Sequence, residues 1–354
     1  MTTHISQIRS FALFVCLLAV AALAASAQTP PSKNTPPKAA PPKPASKSEP
    51  VEAPEPPAAW KEHRGGGEKA LAVDPNVNIK LPCISQARVT VNGWQRDEVR
   101  VFVRNGSDIG FKVHEKDPKS GKPVWILITQ QMAGRATPMS ECLSGDRIDI
   151  EVPYGATLVI TGRETETRID SVKKVSIKNL GGNVALRNIS GGIAAETYEG
   201  DVSVENSSGQ IALRTSTGNI IAYGVGPGQV GDMFKAGTSN GSITLQKVEH
   251  RQIEATSVSG TLVFNGKFLP GGLYAFKTSN GTVRLAIPEE SSCRVVAWYG
   301  FGSFNSEVPM KILTENISSG GKSLNALIGS GDATVNLTTS NGRLLITKQQ
   351  PDKP

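Results

Sequence analysis

The sequence predicts an all-β fold, a parallel β-solenoid preceded by a small antiparallel β unit, and three observations carry that prediction. First, a short phrase recurs every eight to ten residues between Gly181 and Ile221: a glycine, one polar residue, then alternating apolar positions. It reads Gly182-Asn-Val-Ala-Leu, Gly192-Ile-Ala-Ala-Glu, Gly200-Asp-Val-Ser-Val, Gly209-Gln-Ile-Ala-Leu and Gly218-Asn-Ile-Ile-Ala. Each phrase has the alternation of a strand and is too short to bury its apolar face alone, so neighbouring phrases must stack. Second, the same grammar returns at wider spacing in Gly241-Ser-Ile-Thr-Leu, Gly260-Thr-Leu-Val-Phe, Gly281-Thr-Val-Arg-Leu and Gly342-Arg-Leu-Leu-Ile. Third, aromatics are only 5% of the chain while it holds 36 glycines and 23 prolines, a composition of many turns and thin packing.

Taken in order, the chain opens with Arg9 and an apolar run from Phe11 to Ala24, closed by the small residues Ala25-Ser26-Ala27. That is the pattern of a secretory signal peptide over 1–27, with cleavage between Ala27 and Gln28. The run is shorter than the roughly 20 apolar residues of a membrane span, so no span is expected after cleavage. Residues 28–70 are rich in Pro, Lys and Ala, with paired prolines such as Pro30-Pro31 and Pro41-Pro42, and read as an extended linker. The net charge is +7, and the segment from Gln28 to Ser48 alone carries Lys33, Lys38, Lys43 and Lys47 with no acidic residue. The remainder mixes both signs, which argues against nucleic acid as a partner.

Residues 71–165 read as the N-terminal β unit. Its period-two runs are Ala87-Arg-Val-Thr-Val, Glu98-Val-Arg-Val-Phe-Val, Val124-Trp-Ile-Leu-Ile and Arg147-Ile-Asp-Ile-Glu-Val, parted by turns such as Asn92-Gly93 and Asn105-Gly106. Such a unit would cap a solenoid, whose bare end would recruit another chain. The mature chain keeps Cys83, Cys142 and Cys293. Export permits a disulfide, and the first two share this unit, so Cys83 is expected to pair with Cys142, leaving Cys293 as a buried small apolar residue.

Residues 170–348 form the repeat domain. Three of its phrases extend backwards to Thr238-Ser-Asn-Gly241, Thr278-Ser-Asn-Gly281 and Thr339-Ser-Asn-Gly342, with Thr215-Ser-Thr-Gly218 as a variant. Glycine supplies the positive φ of a tight turn, so the phrase marks a corner between strands. Steps of 8, 9 and 9 from Gly192 to Gly218, then 19 and 21 from Gly241 to Gly281, predict coils of about 20 residues with two strands each, roughly eight in all. Val202, Val204, Ile211, Leu213, Ile243 and Leu245 should point inward, and Ser203, Gln210 and Thr244 outward. Residues 349–354 are a polar tail.

The glycine phrases, the Thr-Ser-Asn-Gly corners and the closing segment from Gly329 to Ile346 resemble the "putative adhesin" β-strand-repeat family of bacterial envelope proteins, a domain of unknown function. The likeness covers roughly 172–348, and Val295-Val-Ala-Trp-Tyr-Gly with Phe304-Asn-Ser-Glu-Val-Pro is similar to the family's penultimate section. It implies a β-solenoid and an exported protein, and supplies no catalytic residues. The β unit before Gly162 departs from the family's shortest members.

No constellation points to an activity. His63, His114 and His250 lie far apart with no ligand at metal spacing, so neither a metal nor another cofactor is expected. Ser319-Gly320-Gly321-Lys322-Ser323 ends like a phosphate loop, but Asn316 stands where its first glycine belongs, so it reads as a turn. Gly200-Asp201, Gly231-Asp232 and Gly331-Asp332 lack the regular spacing of calcium-binding β-rolls. A carbohydrate-active β-helix enzyme would need paired carboxylates, for which Glu196, Glu199, Glu205 and Glu254 are the candidates. The densest aromatic cluster, Trp298, Tyr299, Phe301 and Phe304, is the candidate binding patch. The expected function is therefore that of an exported, non-enzymatic solenoid, periplasmic or at the cell surface, presenting an extended surface for adhesion or envelope interaction. Its partner would be a protein or glycan of the envelope. A periplasmic structural or signalling partner protein and a carbohydrate-active enzyme are the alternatives.

Overall fold

In a computed structural model the chain divides into two units, Met1–Trp60 and Lys61–Pro354. The structure describes residues 67–131 and 142–349, all within the second. The expected signal peptide with its expected Ala27/Gln28 cleavage site, and nearly all of the expected linker, lie outside the described residues.

Every regular element among the described residues is a strand. The first eight are β1 (Glu68–Ala72), β2 (Asn78–Ser85), β3 (Arg88–Trp94), β4 (Glu98–Arg104), β5 (Ile109–Lys116), β6 (Pro123–Gln130), β7 (Leu143–Ser144) and β8 (Arg147–Pro153). Next come β9 (Thr157–Arg163), β10 (Glu166–Asp170), β11 (Lys174–Gly181), β12 (Val184–Arg187), β13 (Ile193–Glu199), β14 (Val202–Glu205), β15 (Ile211–Thr217), β16 (Ile220–Val225), β17 (Met233–Asn240) and β18 (Ile243–Val248). The last ten are β19 (Gln252–Ser259), β20 (Leu262–Asn265), β21 (Leu273–Asn280), β22 (Val283–Ile287), β23 (Cys293–Tyr299), β24 (Ser303–Ser306), β25 (Lys311–Ser318), β26 (Gly321–Ile328), β27 (Ala333–Asn341) and β28 (Arg343–Lys348). They form two sheets. Sheet A has 13 strands in the order β1-β4-β8-β3-β10-β12-β14-β16-β18-β20-β22-β28-β24. Sheet B has 15, in the order β25-β26-β23-β27-β21-β19-β17-β15-β13-β11-β9-β2-β6-β5, with β7 beside β2.

This is a parallel β-solenoid. Each coil lends one strand to sheet B and the next to sheet A, and both stack in register on the coil before, as in Val175↔Ile193↔Ile211 and Val184↔Val202↔Ile220. The tight region between Gly181 and Ile221 has an 18-residue repeat, visible where Asp201 N–H bonds the Asn183 side chain 18 residues earlier. Two glycine phrases therefore make one coil. Eight coils lie between Lys174 and Lys348. Val202, Val204, Ile211, Leu213, Ile243 and Leu245 are all buried between the sheets, while Gln210 is exposed and Ser203 and Thr244 are half-exposed. A coil contributes only a few such side chains, too little apolar area to offset the entropy of ordering it, so coils persist only when stacked.

The corners show why the phrase recurs. Gly200, Gly218, Gly241 and Gly260 have φ of +135°, +147°, +153° and +155°. A Cβ at any of them would meet the carbonyl of the corner glycine one coil back. The Thr or Ser ahead of each corner is buried. Thr215, Thr238, Ser257 and Thr278 donate their hydroxyls to the carbonyls of Gly200, Gly218, Gly241 and Gly260 at 3.0, 3.0, 3.0 and 3.2 Å. The polar residue after the glycine caps the next coil: Asp201 Oδ1 accepts from Asn219 N–H at 2.7 Å, and Asn219 Oδ1 from Ser242 N–H at 2.9 Å. At the opposite corners Asn188 and Asn206 take φ of +53° and +47°, a region Asn tolerates better than most residues.

Both ends depart from chain order. At the N-terminal end β2 and β3 already run parallel to β9 and β10, so the solenoid begins well before residue 170. The antiparallel pairs of the N-terminal unit are β1 with β4, β4 with β8, and β5 with β6. At the C-terminal end the last coil, β27/β28, inserts between β21/β22 and β23/β24. The antiparallel hairpin β25/β26 then closes sheet B; Ser319 and Gly320 make its turn, and Gly321, Lys322 and Ser323 open strand β26. Leu324, Ala326 and Ile328 of β26 are buried over the end of the core.

Candidate functional site

The Cys83–Cys142 disulfide is formed, with a Cα separation of 4.6 Å across 59 residues of chain. It sits where Ile84 of β2 pairs with Leu143 of β7, pinning the point at which the chain re-enters sheet B. Cys293 is buried in β23, and burial pushes its thiol up to about 12. A thiol so firmly protonated is an inert core residue.

The four aromatics named from the sequence do not form one surface. Strand alternation in β23 turns Trp298 outward and Tyr299 inward, where Tyr299 stacks on half-buried Phe304 with ring centroids 6.2 Å apart. Phe301 is exposed in the turn after β23. Trp298, 40% exposed, stands on the outer face of sheet B beside Thr338 and Ser323.

The candidate carboxylates are likewise dispersed. Glu205 is on the outer face of sheet A, paired with Arg187 at 3.2 Å. Glu196 and Glu254 share the outer face of sheet B but stand on β13 and β19, three rungs or about 14 Å apart. Glycosidase carboxylate pairs stand closer, at about 5–10 Å. The Gly-Asp carboxylates serve turns: Asp232 Oδ2 accepts from Gly228 and Gln229 N–H, both at 2.9 Å, and Asp332 accepts from Ser330 at 2.8 Å. Among the described residues no three His, Cys, Asp or Glu side chains converge as metal ligands.

What the structure does assemble is a trough of about 610 Å³ along the outer face of sheet B, crossing β11, β13, β15, β17 and β19. Its floor is made of small residues at registered positions: Ser176, Ala194 and Ala212 in one row, and Gly237 in the next. Over this floor stand Lys178, Glu196, Arg214, Lys235 and Glu254. Lys178 pairs with Glu196 at 3.6 Å and Lys235 with Glu254 at 3.0 Å. Arg214 lies in register with Glu196 on one side and Gly237 on the other. Glu196 is engaged by Lys178, and among the described residues the Arg214 guanidinium makes no ion pair or hydrogen bond. A second hollow of about 300 Å³ adjoins it, lined by Tyr198 and Leu180, which are 65% and 59% exposed. The signal for this face was present in the sequence, since Lys178, Glu196 and Arg214 recur at the coil repeat. It shows only once the glycine phrases are aligned two per coil.

One buried histidine lies against the corner between β14 and β15. His250 is fully buried, its Nε2 2.8 Å from the Gly209 carbonyl, while Nδ1 has no partner. Burial holds its pKa below the usual histidine value, against the opposing pull of the Gly209 carbonyl and the Asp232 carboxylate.

No family model and no curated protein matches the chain. Two solved structures are similar to it. One is described as a putative cell adhesion protein from Clostridium sporogenes, with 11% identity over 80% of this chain and 100% of that one, at a TM-score of 0.24. The other is described as a putative adhesin from Parabacteroides merdae, with 8% identity over 81% of this chain and 97% of that one, at a TM-score of 0.32. At such scores the likeness assigns no role to any residue.

Proposed function

We propose that the protein is an exported, non-enzymatic β-solenoid whose outer sheet B face is a surface for adhesion or envelope interaction. The observation that carries this reading is the trough across five coils, with a small-residue floor, charged side chains above it and exposed Tyr198 at its rim. A rigid parallel stack holds such a surface in fixed register from coil to coil. The dispersal of the candidate carboxylates supports a binding rather than a hydrolytic role. The disulfide supports an oxidising compartment outside the cytosol.

The test is binding of the purified, fluorescently labelled mature chain to intact host cells and to isolated envelope material. Saturable binding is expected, and filling the trough with neutral bulk by Ala194→Gln with Ala212→Gln should abolish it while shifting thermal unfolding only slightly. Absence of binding to both materials, or binding indifferent to the filled trough, would overturn the reading.

A further inference from the structure

We propose that the trough holds an extended polysaccharide bearing a uronic acid, with the sugar carboxylate on the Arg214 guanidinium and an adjoining ring against Tyr198. The proposal rests on the reading that this face is the binding surface, and it adds the ligand's chemistry.

Charge is the first argument. Of the five charged side chains over the floor, four are consumed in the pairs Lys178–Glu196 and Lys235–Glu254, which leaves Arg214. A guanidinium presents a planar fork that matches a carboxylate through two parallel hydrogen bonds. A single unsatisfied cation suits a chain with sparse carboxylates. It does not suit a nucleic acid, whose phosphates recur at every residue and require many cations.

The backbone supplies the second argument. On the trough strands each backbone N–H and C=O is engaged with the coils on either side, as β15 is with β13 and β17. An extended peptide therefore cannot add itself as a strand here, and loses the main-chain hydrogen bonds that usually hold it. Recognition must come from side chains alone.

Spacing is the third. Successive coils lie about 4.8 Å apart, close to the advance of one sugar residue in an extended chain, and five coils span about 19 Å. Tyr198 lies one coil before Arg214 and two residues further along the strand, a diagonal of about 8 Å. A chain laid along that diagonal with its carboxylate on Arg214 brings a sugar ring one to two residues on against the tyrosine. Gly237, in register beside Arg214, leaves room for the chain to lie flat. Tyr198 offers a wide amphipathic face that loses little rotamer freedom on contact.

Calorimetry of the mature chain with tetrasaccharides in which glucuronate stands among neutral sugars, alternating with N-acetylglucosamine or branching from xylose, with cellotetraose and with a glutamate-rich peptide tests the proposal. At least one uronate should bind, more weakly as salt rises. Arg214→Gln should weaken that binding about tenfold or more, and Arg214→Lys less. Tyr198→Ala should weaken it as well, with thermal unfolding unchanged in all three variants. No uronate binding, equal binding by Arg214→Gln, or tighter binding of cellotetraose or the peptide overturns the proposal. Envelope binding that is abolished by filling the trough but indifferent to Arg214→Gln also overturns it, while leaving the adhesion reading in place.

Discussion

Gly218 sits at the corner between β15 and β16 with φ of +147°, and its N–H donates to the Asn240 carbonyl at 3.0 Å. In Gly218→Ala the new Cβ would meet the Gly200 carbonyl, with the Gly200 carbon 2.6 Å and the Asp201 nitrogen 3.2 Å away, all of it backbone that cannot rotate aside. Holding alanine at this φ costs about 1–3 kcal/mol. Shifting the corner also strains the bond from Thr238 to the Gly218 carbonyl and the N–H bond to Asn240, each contributing about 1 kcal/mol. The sum is about 3 kcal/mol, which at a urea m-value of about 3 kcal/mol/M lowers the midpoint by about 1 M. Gly237 is the internal control. It lies mid-strand in β17, and a Cβ there meets only the Thr256 carbonyl at 4.0 Å. Gly237→Ala should therefore change stability by no more than about 0.5 kcal/mol, or raise it slightly. Equilibrium urea unfolding followed by far-UV circular dichroism reads both variants. If Gly218→Ala matches the natural chain, or both glycines cost the same, corner stacking is not what the glycines supply.

Thr215→Val keeps the shape and leaves the Gly200 carbonyl without its hydroxyl donor, so it should cost about 1–2 kcal/mol in urea unfolding, whereas Thr215→Ser should recover most of it, as Ser257 does naturally. Reduction of Cys83–Cys142, which closes 59 residues, should destabilise the fold by about 4 kcal/mol in the chain-entropy model, and an unfolding midpoint indifferent to reductant would refute this. His250 titrates below its ordinary value because it is buried, so the unfolded chain binds the proton first as pH falls. Its contribution is complete above about pH 6.5 and is lost as pH drops through the folded-state pKa; His250→Gln should flatten the stability profile between about pH 7 and 5, and an unchanged slope would assign the acid sensitivity elsewhere.

The alternation of apolar residues and the recurring glycine were enough to predict parallel stacked coils, their number and their inward faces, because both follow from strand period and from φ. They were not enough for the ends. That β2/β3 belongs to the parallel stack, and that β27/β28 slots between two earlier coils, depends on which edges find partners across long stretches of chain, and local pattern is silent on that. Tyr299 shows the same limit within a single strand: its neighbours are exposed aromatics, but one residue of register turns it into the core beside Phe304.

What the sequence determined by itself is where the corners fall, since glycine at positive φ is a local requirement, whereas the hydroxyl before it and the cap after it bond to the neighbouring coil. The disulfide partners also follow from the chain, as the two cysteines that share one unit. Tertiary structure alone decided the trough. Lys178, Glu196 and Arg214 stand 18 residues apart and become neighbours only when the coils stack at about 4.8 Å, and only then does Lys178 engage Glu196 while Arg214 stands in register beside them.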